Sequence, residues 1–359
     1  MKVLYDNQAF SYQNFGGVSR YFYELINNSN NLFEFDIPLT ITKNEYTKLL
    51  GFNKEFPVKF HFKGKNRIID YLNNCSSIKN IKTGNYDLFH PTYYNTDYLK
   101  YLKNKPFIID VHDMIFEIMP QYFKNNISLE KKEYFIRADA LIANSQNTKN
   151  DLLKIIPEIN ENKVKVIYRG EIFPNIKYKK PSEKQKYILF TGQRGGYKNF
   201  DNFIKAVAPL LIKYDLELFC TGQDFNKYEN EFLENNNIIK RSKSRFLSEN
   251  ELQDIYANAL LFVFPSLYEG FGFPILEAFA SGCPMLLSNS SCFPEIAQDA
   301  GIYFDPNSVE NMRSTIENVI LDQSLQDSII KKGFERLKFF SWEKTVKETY
   351  KLYCDVLSK

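Results

Sequence analysis

The sequence predicts an α/β protein made of two domains of similar size, each built on a parallel β-sheet. The chain has 359 residues, which suits two domains of roughly 150 residues each. Short apolar runs of strand character alternate with helical patterns along the chain, as in parallel sheets that helices cover on both faces. Residues 173–185 contain two Pro and four Lys residues without hydrophobic periodicity, which predicts a linker between the domains.

Composition and charge limit the classes of protein to consider. The chain is 44% hydrophobic and 25% charged, which excludes a disordered protein, a collagen and a coiled coil. Residues 1–180 carry 26 Lys and Arg against 19 Asp and Glu, whereas residues 181–359 carry 20 against 24. The basic half is therefore expected to face an anionic partner. We expect no nucleic acid, because the sequence has no zinc-finger or RNA-binding signature.

The first domain is predicted to span residues 1–172. Its strands are expected at Lys2–Asp6, Glu34–Leu39, Tyr86–His90, Phe107–Val111, Ala140–Ala143 and Lys163–Tyr168. Helical patterns lie between several of these strands, at Val18–Asn27, Leu129–Arg137 and Asn147–Ile156. This alternation is what a parallel sheet with crossover helices requires.

The second domain is predicted to span residues 186–340. Its strands are expected at Tyr187–Thr191, Leu216–Cys220, Leu260–Phe264 and Pro284–Leu287. Its helices are expected at Phe200–Tyr214, Glu249–Asn258, Pro274–Ser281, Val309–Leu321 and Leu325–Lys338. Residues 341–359 are predicted to form a final amphipathic helix that packs back on the first domain.

The segment from Phe264 to Ala278 carries the strongest functional signal. A buried strand is followed by a glycine-bearing loop, and a helix is predicted to begin at Pro274. Amide groups at a helix N-terminus favour an anion such as phosphate. The carboxylates of Glu269 and Glu277, the latter expected in the first turn, can accept hydrogen bonds from sugar hydroxyls, so the segment suits a nucleotide sugar. Alternatively, Glu277 only complements the helix dipole and Glu269 is a turn residue.

This segment resembles the Glu-x7-Glu motif of retaining glycosyltransferases, most closely those of glycosyltransferase family 4, which have the GT-B fold. The resemblance implies two Rossmann-like domains facing each other across a cleft. It also implies that Glu269 contacts the donor sugar and Glu277 contacts the ribose of the nucleotide. It further implies donor contacts at the residues between and beside them: Gly270, Phe271, Gly272 and Leu276.

A second motif, from Leu189 to Phe200, joins a strand to a helix through a glycine-rich turn. Arg194 and Lys198 in this turn can neutralise a diphosphate leaving group, although cations in loops are usually just solvated. The family has an Arg and a Lys at this location that contact the donor diphosphate. It often separates them by a longer insert than this sequence has.

Two further motifs are expected in the first domain. Gly16 and Gly17 open a helix, where backbone can approach a ligand closely. In similar glycosyltransferases this loop closes over the donor phosphates; a plain helix-entry turn is the alternative. His112 follows a predicted strand, where ligands gather in open α/β sheets. A single His is more often structural, but this one matches a family histidine that contacts the donor sugar near the reacting carbon.

We expect no cofactor and no obligatory metal, because no Asp-x-Asp motif occurs and the three histidines lack the spacing of a zinc site. The sequence starts without the apolar stretch of a signal peptide, so a cytoplasmic location is expected. Residues 58–67 interleave cations with aromatic residues and are most simply a solvated face or an edge strand. As a hypothesis, they contact anionic lipid at the inner face of the membrane.

The expected activity is transfer of a hexose, with retention, from a nucleoside diphosphate sugar to a saccharide or lipid-linked saccharide acceptor in polysaccharide or lipopolysaccharide synthesis. The segment Gly16–Phe22 resembles those of bacterial polysaccharide mannosyltransferases, which makes GDP-mannose the first candidate donor. UDP- and dTDP-sugars remain open. Two other functions also remain open: a UDP-sugar epimerase of related fold, and a non-catalytic protein that binds sugar nucleotides.

Overall fold

A computed structural model describes residues 1–12, 16–42, 44–52, 64–125, 127–171, 173 and 175–359. The chain divides into two compact units. The first unit comprises Met1–Gly170 together with Ser341–Lys359, and the second comprises Glu171–Phe340. The described residues of the segment 173–185, expected as a linker, therefore belong to the second unit.

In the described part of the first unit, the strands form two three-stranded parallel sheets, ordered β2-β1-β3 and β4-β5-β6. The strands are β1 Lys2–Tyr5, β2 Glu34–Asp36, β3 Leu88–His90, β4 Ile108–Val111, β5 Ala140–Ala143 and β6 Val164–Val166. A parallel bridge between Phe89 and Phe107 joins the two sheets. Strands β3, β4 and β5 are buried along their whole length, which explains why their sequences are apolar apart from His90 and Asp110.

Helices cover these sheets. They are α1 Gln8–Tyr12, α2 Gly17–Asn27, α3 Glu45–Leu49, α4 Lys65–Thr83, α5 Ile115–Ile118, α6 Ser128–Arg137, α7 Gln146–Ile155 and, from the end of the chain, α15 Trp342–Leu357. Short 3-10 helices lie at Thr96–Tyr101, Pro120–Tyr122 and Glu161–Lys163. The side chains of Ser145 and Ser341 cap α7 and α15 by accepting hydrogen bonds from backbone amides.

In the described part of the second unit, the strands form one six-stranded parallel sheet of order β12-β11-β10-β7-β8-β9. The strands are β7 Gln185–Phe190, β8 Glu217–Thr221, β9 Ser242–Arg245, β10 Ala259–Phe264, β11 Met285–Ser288 and β12 Ile302–Phe304. The chain first builds the sheet in one direction, from β7 to β9, and then returns to place β10 on the other side of β7. Such a switch in strand order opens a crevice at the carboxyl ends of the two central strands.

The helices of the second unit follow its strands. They are α8 Phe200–Lys213, α9 Lys227–Asn235, α10 Glu249–Asn258, α11 Phe273–Ala280, α12 Phe293–Ala297, α13 Val309–Leu321 and α14 Gln323–Leu337. Short 3-10 helices lie at Pro181–Glu183, Gly196–Lys198, Ile239–Arg241 and Gln298–Ala300. Ser248 and Glu251 form the reciprocal capping box that their spacing predicts.

The basic segment 58–67 lies only partly within the described residues. Residues 58–63 lie outside them, and residues 65–67 begin helix α4. The interpretation of this segment as an edge strand is therefore wrong at its C-terminal end. Among the described residues, no helix is long and apolar enough to cross a membrane.

Candidate functional site

Both sequence motifs of the second unit lie at its switch in strand order. The glycine-rich turn follows β7, and the loop with the first carboxylate follows β10, the neighbour of β7 in the sheet. A hydrogen bond joins the two loops directly: the amide of Leu267 donates to the carbonyl of Tyr197 at 2.8 Å. The sheet topology thus brings together two segments that lie about 70 residues apart in sequence.

The loop after β10 leads into α11 through Gly272, whose φ of +84° favours glycine. A Cβ atom here would also meet side-chain atoms of Ile275 and Phe293 at 3.3 Å. The helix begins at Phe273, one residue before the predicted start, and Pro274 is its second residue. Glu277 consequently lies in the second turn, and its predicted place in the first turn is wrong.

Glu269 and Lys198 form the contact that joins the two motifs. Lys198 Nζ lies 2.6 Å from Glu269 Oε1, and the two side chains are 16% and 15% exposed. The Glu269 amide donates to Ser291 Oγ at 3.1 Å, which fixes the backbone of the loop. The ammonium group also lies near the rings of Tyr197 and Phe264. A partly desolvated cation is therefore held at the carboxyl ends of the central strands.

Glu277 is buried, and the Tyr256 hydroxyl connects it to the end of β7. Its Oε2 accepts a hydrogen bond of 2.9 Å from the Tyr256 hydroxyl. That hydroxyl also lies 3.2 Å from Thr191 Oγ1, on the residue that follows β7. Burial and the Glu277 carboxylate raise the pKa of Tyr256 well above its ordinary value, so its hydroxyl remains a donor.

Arg194 turns toward the loop after β8. Its Nε and one terminal nitrogen donate to the two carboxylate oxygens of Glu229, at 3.0 and 3.3 Å. Its other terminal nitrogen donates to Ser244 Oγ at 2.9 Å, and further bonds reach the carbonyls of Gln223 and Asp224. These contacts use four of the five N–H groups of the guanidinium. Arg194 thus braces the loop after β8 and retains one N–H group for a ligand.

The remaining predicted residues of the second unit lie in or beside this loop. The side chains of Phe271 and Leu276 are buried, with exposures of 3% and 0%. Phe271 packs against the rings of Phe273 and Phe340. Leu276 is thus buried within α11, whereas Gly270 lies within the loop itself.

In the first unit, His112 directly follows β4 and is partly accessible. The side-chain amide of Asn144 donates to its backbone carbonyl at 2.6 Å. A terminal nitrogen of Arg169 lies 2.9 Å from its Nδ1. Burial, followed by the Arg169 charge, lowers the pKa of His112 to about 4, so the ring is neutral at pH 7.

Gly16 and Gly17 lie at the start of α2, as predicted, while residues 13–15 of that motif lie outside the described residues. Gly16 has an extended backbone with φ of −180° and accepts hydrogen bonds from Ser19 and Arg20 through its carbonyl. Its conformation does not itself require glycine. Within the described residues, no group of three or more His, Cys, Asp or Glu side chains could hold a metal ion.

Two family models match the chain and together account for most of it. The model described as "Glycosyltransferase Family 4" matches residues 15–170, and "Glycosyl transferases group 1" matches residues 172–336. The chain belongs to the glycosyltransferases, with a family 4 domain followed by a group 1 domain. The resemblance inferred from the Glu269–Glu277 segment is confirmed.

Two curated relatives of this glycosyltransferase are both named O-antigen chain mannosyltransferases. It is 31% identical over 178 residues to O-antigen chain mannosyltransferase B of Escherichia coli, covering 47% of this chain and 46% of the relative. It is 29% identical over 260 residues to O-antigen chain mannosyltransferase RfbU of Salmonella typhimurium, covering 69% and 68%. The first of these matches thus spans about half the length of the relative.

Solved structures resemble this glycosyltransferase over nearly its whole length. A sucrose-phosphate synthase from Thermosynechococcus elongatus superposes with a TM-score of 0.76 at 16% identity, covering 99% of both chains. Anabaena Alr3699/HepE, solved in complex with UDP and glucose, gives 0.75 at 16% identity, covering 99% and 100%. The GT-B fold with two Rossmann-like units, predicted from the sequence, is confirmed.

The structure of this glycosyltransferase brings Lys198 and Glu269 together, and it places Glu277 nearby. It also adds two residues that the sequence motifs did not reveal, Tyr256 and Glu229. Tyr256 lies in α10 and Glu229 in α9, and neither helix carries one of the motifs. The only local signal was the Asn226-x-x-Glu229 spacing, which indicates a capping box rather than a partner for Arg194.

Replacing Tyr256 with Phe should lower the free energy of unfolding by about 1–2 kcal/mol, because the buried Glu277 carboxylate loses a hydrogen-bond donor. Chemical denaturation of the purified protein measures this change. Tyr228→Phe is the matched control, because that hydroxyl also donates to a carboxylate, Asp201, but its side chain is exposed. Equal losses in the two variants would contradict the assignment.

Proposed function

We propose that the protein transfers mannose, with retention of configuration, from GDP-mannose to a saccharide or lipid-linked saccharide acceptor in the synthesis of a cell-surface polysaccharide. The observation that carries this proposal is the pair formed by Lys198 and Glu269 at the switch in strand order. It joins a cation for the leaving group and a carboxylate for the sugar within 2.6 Å. The mannosyltransferase names of the curated relatives support mannose as the sugar.

The donor diphosphate is proposed to lie at the N-terminus of α11 and beside Lys198. The helix dipole and the backbone amides favour the anion there. Lys198 neutralises the charge that develops on the diphosphate as it leaves. Arg194 contributes its positive potential and its one remaining N–H group, since Glu229 and the loop after β8 hold the rest of its guanidinium.

The sugars of the donor are proposed to meet the carboxylates. Glu277 accepts from the ribose hydroxyls, while its hydrogen bond with Tyr256 is kept. Glu269 accepts from the hydroxyls of the transferred hexose, and His112 contacts the same sugar near the reacting carbon. Backbone at Gly16, Gly17 and 270–272 completes the contacts with the donor.

The proposed reaction occurs on one face of the sugar. The bond between the anomeric carbon and the diphosphate oxygen breaks, and its electron pair stays on that oxygen. The acceptor hydroxyl oxygen attacks from the same face, and its proton passes to the departing phosphate oxygen. The sequence motifs supply no second carboxylate for a covalent glycosyl-enzyme. Electrostatic stabilisation of the leaving group therefore supplies most of the rate acceleration.

The test is an assay with purified protein, a panel of GDP-, UDP- and dTDP-sugars and a lipid-linked saccharide acceptor. Transfer from GDP-mannose, with an axial bond at the new linkage by NMR, is the expected result. A thermal-shift screen with GDP, UDP and dTDP identifies the base independently, because a ligand that binds the folded state stabilises it. Conversion of a UDP-sugar to its epimer without acceptor would instead identify an epimerase. Nucleotide binding without either reaction would identify a non-catalytic binding protein.

The proposed reaction uses no metal ion. Addition of EDTA to the assay is expected to leave the rate unchanged. Lys198 and the α11 N-terminus balance the negative charge of the diphosphate, which a divalent cation would otherwise balance. The measurement compares initial rates with and without the chelator, and with Mg²⁺ or Mn²⁺ restored. Loss of activity in EDTA and its recovery with either metal would contradict a metal-independent mechanism.

We also propose that residues 58–67 bring the protein to an anionic membrane surface, where a lipid-linked acceptor would lie. The basic and aromatic residues of this segment in the sequence support the proposal. Flotation with liposomes of anionic or neutral lipid tests it. Binding to the anionic vesicles alone is expected, and equal recovery with both, or with neither, would overturn it.

A further inference from the structure

Arg169 and His112 form a contact that the sequence motifs do not predict. His112 follows β4, and Arg169 lies three residues after β6. One terminal nitrogen of the guanidinium lies 2.9 Å from His112 Nδ1. A guanidinium can only donate hydrogen bonds, so Nδ1 must accept and cannot carry a proton. The single proton of the neutral ring then lies on Nε2.

The structure holds Arg169 firmly enough to impose this arrangement. Its side chain is 4% exposed and stacks on the ring of Tyr21, with its central carbon 4.0 Å from the ring centroid. The residue before it, Tyr168, accepts a hydrogen bond of 2.7 Å from Thr345 Oγ1 in α15. The residue after it, Gly170, packs against the backbone of Trp342. Backbone and side chain are thus both fixed.

The surroundings of His112 favour the neutral ring. Its aromatic neighbours are Tyr21, Phe22, Tyr93 and Tyr94. The charged groups that act on it are Arg169, which opposes protonation, and Asp110 and Asp113, which favour it. The backbone of Thr92 also favours the protonated ring. Burial and Arg169 outweigh these three groups, and the pKa falls to about 4.

We propose that Arg169 is a positioning residue that holds His112 neutral, with its one ring proton on Nε2. The consequence for catalysis rests on the proposed function, in which His112 contacts the donor sugar. As the bond to the diphosphate breaks, that sugar develops positive charge. An imidazolium beside it would raise the energy of the transition state, whereas a neutral ring with an oriented N–H group does not.

The charge of Arg169 itself is partly balanced by Asp110, which lies in β4. Burial raises the pKa of this carboxyl, but its hydrogen bond with His90 and the charge of Arg169 help to bring it below the ordinary value. Asp110 is therefore ionised at pH 7. The pair places a positive group against Nδ1 while limiting the net positive charge near the sugar.

The first test reads the ring proton directly in the ligand-free protein. The chain has three histidines, so a long-range ¹H–¹⁵N spectrum of ¹⁵N-histidine-labelled protein is simple, and His112→Gln identifies the His112 signals. At pH 7 we expect a protonated Nε2 and an unprotonated Nδ1. A proton on Nδ1 of His112 would overturn the proposal, and this result depends on no variant of Arg169.

The second test removes the guanidinium with Arg169→Met. The titration midpoint of His112 should rise from about 4 toward its ordinary value near 6.5, and the preference for Nε2–H should weaken. Arg169→Lys, which keeps the charge, should leave the ring neutral at pH 7. Arg137→Met is the control, since this Arg of α6 pairs with Glu133 and is 45% exposed. An unchanged titration in folded Arg169→Met protein would overturn the proposal.

The third test separates this inference from the proposed function. For Arg169→Met, kcat/KM should fall by up to about tenfold between pH 7.5 and 5.5, because the pKa of His112 rises toward its ordinary value and the ring becomes protonated in this range. The wild type should show no such acid limb. If the spectra change as expected but the pH profile does not, His112 has no contact with the reacting sugar. That outcome would overturn its role in the proposed function and support the positioning by Arg169.

Discussion

Replacing Lys198 with Met should lower kcat/KM for the nucleotide sugar by roughly 100- to 1,000-fold, the usual cost of losing a group that stabilises charge in a transition state. The ammonium lies 2.6 Å from Glu269 and is only 16% exposed, so water screens its charge weakly. The diphosphate gains negative charge as it leaves, and Arg194 is too fully bonded to replace Lys198. Initial rates over a range of donor concentrations measure the loss.

Lys213→Met is the matched control for this variant. Lys213 lies in α8 of the same unit and also pairs with a Glu, Glu317, but its side chain is 62% exposed. We expect its kcat/KM to equal that of the wild type within about twofold, since exposed pairs contribute little. Equal losses in the two Lys variants would refute the role of Lys198.

A double-mutant cycle shows whether Lys198 and Glu269 act together. Glu269→Gln alone should also reduce kcat/KM strongly, because the carboxylate is proposed to orient the hexose. If the two groups act on the same donor molecule, Glu269→Gln should lower kcat/KM by a smaller factor in the Lys198→Met variant than in the wild type. If the effects of the two substitutions on kcat/KM are strictly additive in free energy, the 2.6 Å pair of Lys198 and Glu269 matters in the ligand-free protein only.

The sequence predicts most strands correctly because they are buried on both faces. The run 259–264, for example, is continuously apolar, and a central parallel strand readily accommodates that pattern. The sequence does not predict the edge strands β9 and β12. The sequence of β9, Ser-Lys-Ser-Arg, is polar because it lies at the edge of the sheet with two side chains exposed.

Helix α4 escapes prediction for a different reason. Its buried positions are Ile69, Asn73, Ser77 and Ile81, spaced four residues apart, but two of the four are polar. Asn73 accepts from the amides of Thr40 and Ile41, and Ser77 bonds to Asn7. These partners come from distant parts of the chain, so burial here is satisfied by hydrogen bonds that a hydrophobic pattern cannot reveal.

The candidate site likewise contains some residues that the sequence pattern predicts and others that it does not. The closeness of Lys198 and Glu269 follows from strand order, because both loops leave the carboxyl ends of neighbouring strands. Side chains from segments that carry none of these motifs cannot be found in this way. Glu229, Tyr256 and Arg169 each bond to a predicted residue, at distances of 2.9 to 3.0 Å for the shortest contacts. Their positions depend on tertiary packing alone.

Replacing Gly170 with Ala should destabilise the first unit by about 3 kcal/mol or more, at the upper end of the cost of overpacking. A Cβ atom at this position would lie 2.4 Å from the backbone nitrogen of Trp342 and 2.8 Å from the carbonyl carbon of Ser341. Backbone atoms cannot move aside as a flexible side chain can, so α15 must shift. Trp342 is the only tryptophan of the chain, and its fluorescence therefore reports on this contact.

The measurement is urea unfolding followed by tryptophan fluorescence, and the midpoint should fall by about 1 M or more. Gly195→Ala is the control, because a Cβ atom there meets nothing within 4 Å and the residue has a negative φ of −131°. Its fluorescence midpoint should match the wild type. A shift in Gly170→Ala no larger than in Gly195→Ala would mean that the first unit absorbs the added methyl group. Helix α15 would then constrain the segment Tyr168–Gly170 less tightly than the structure implies. The position of Arg169 would also be less fixed.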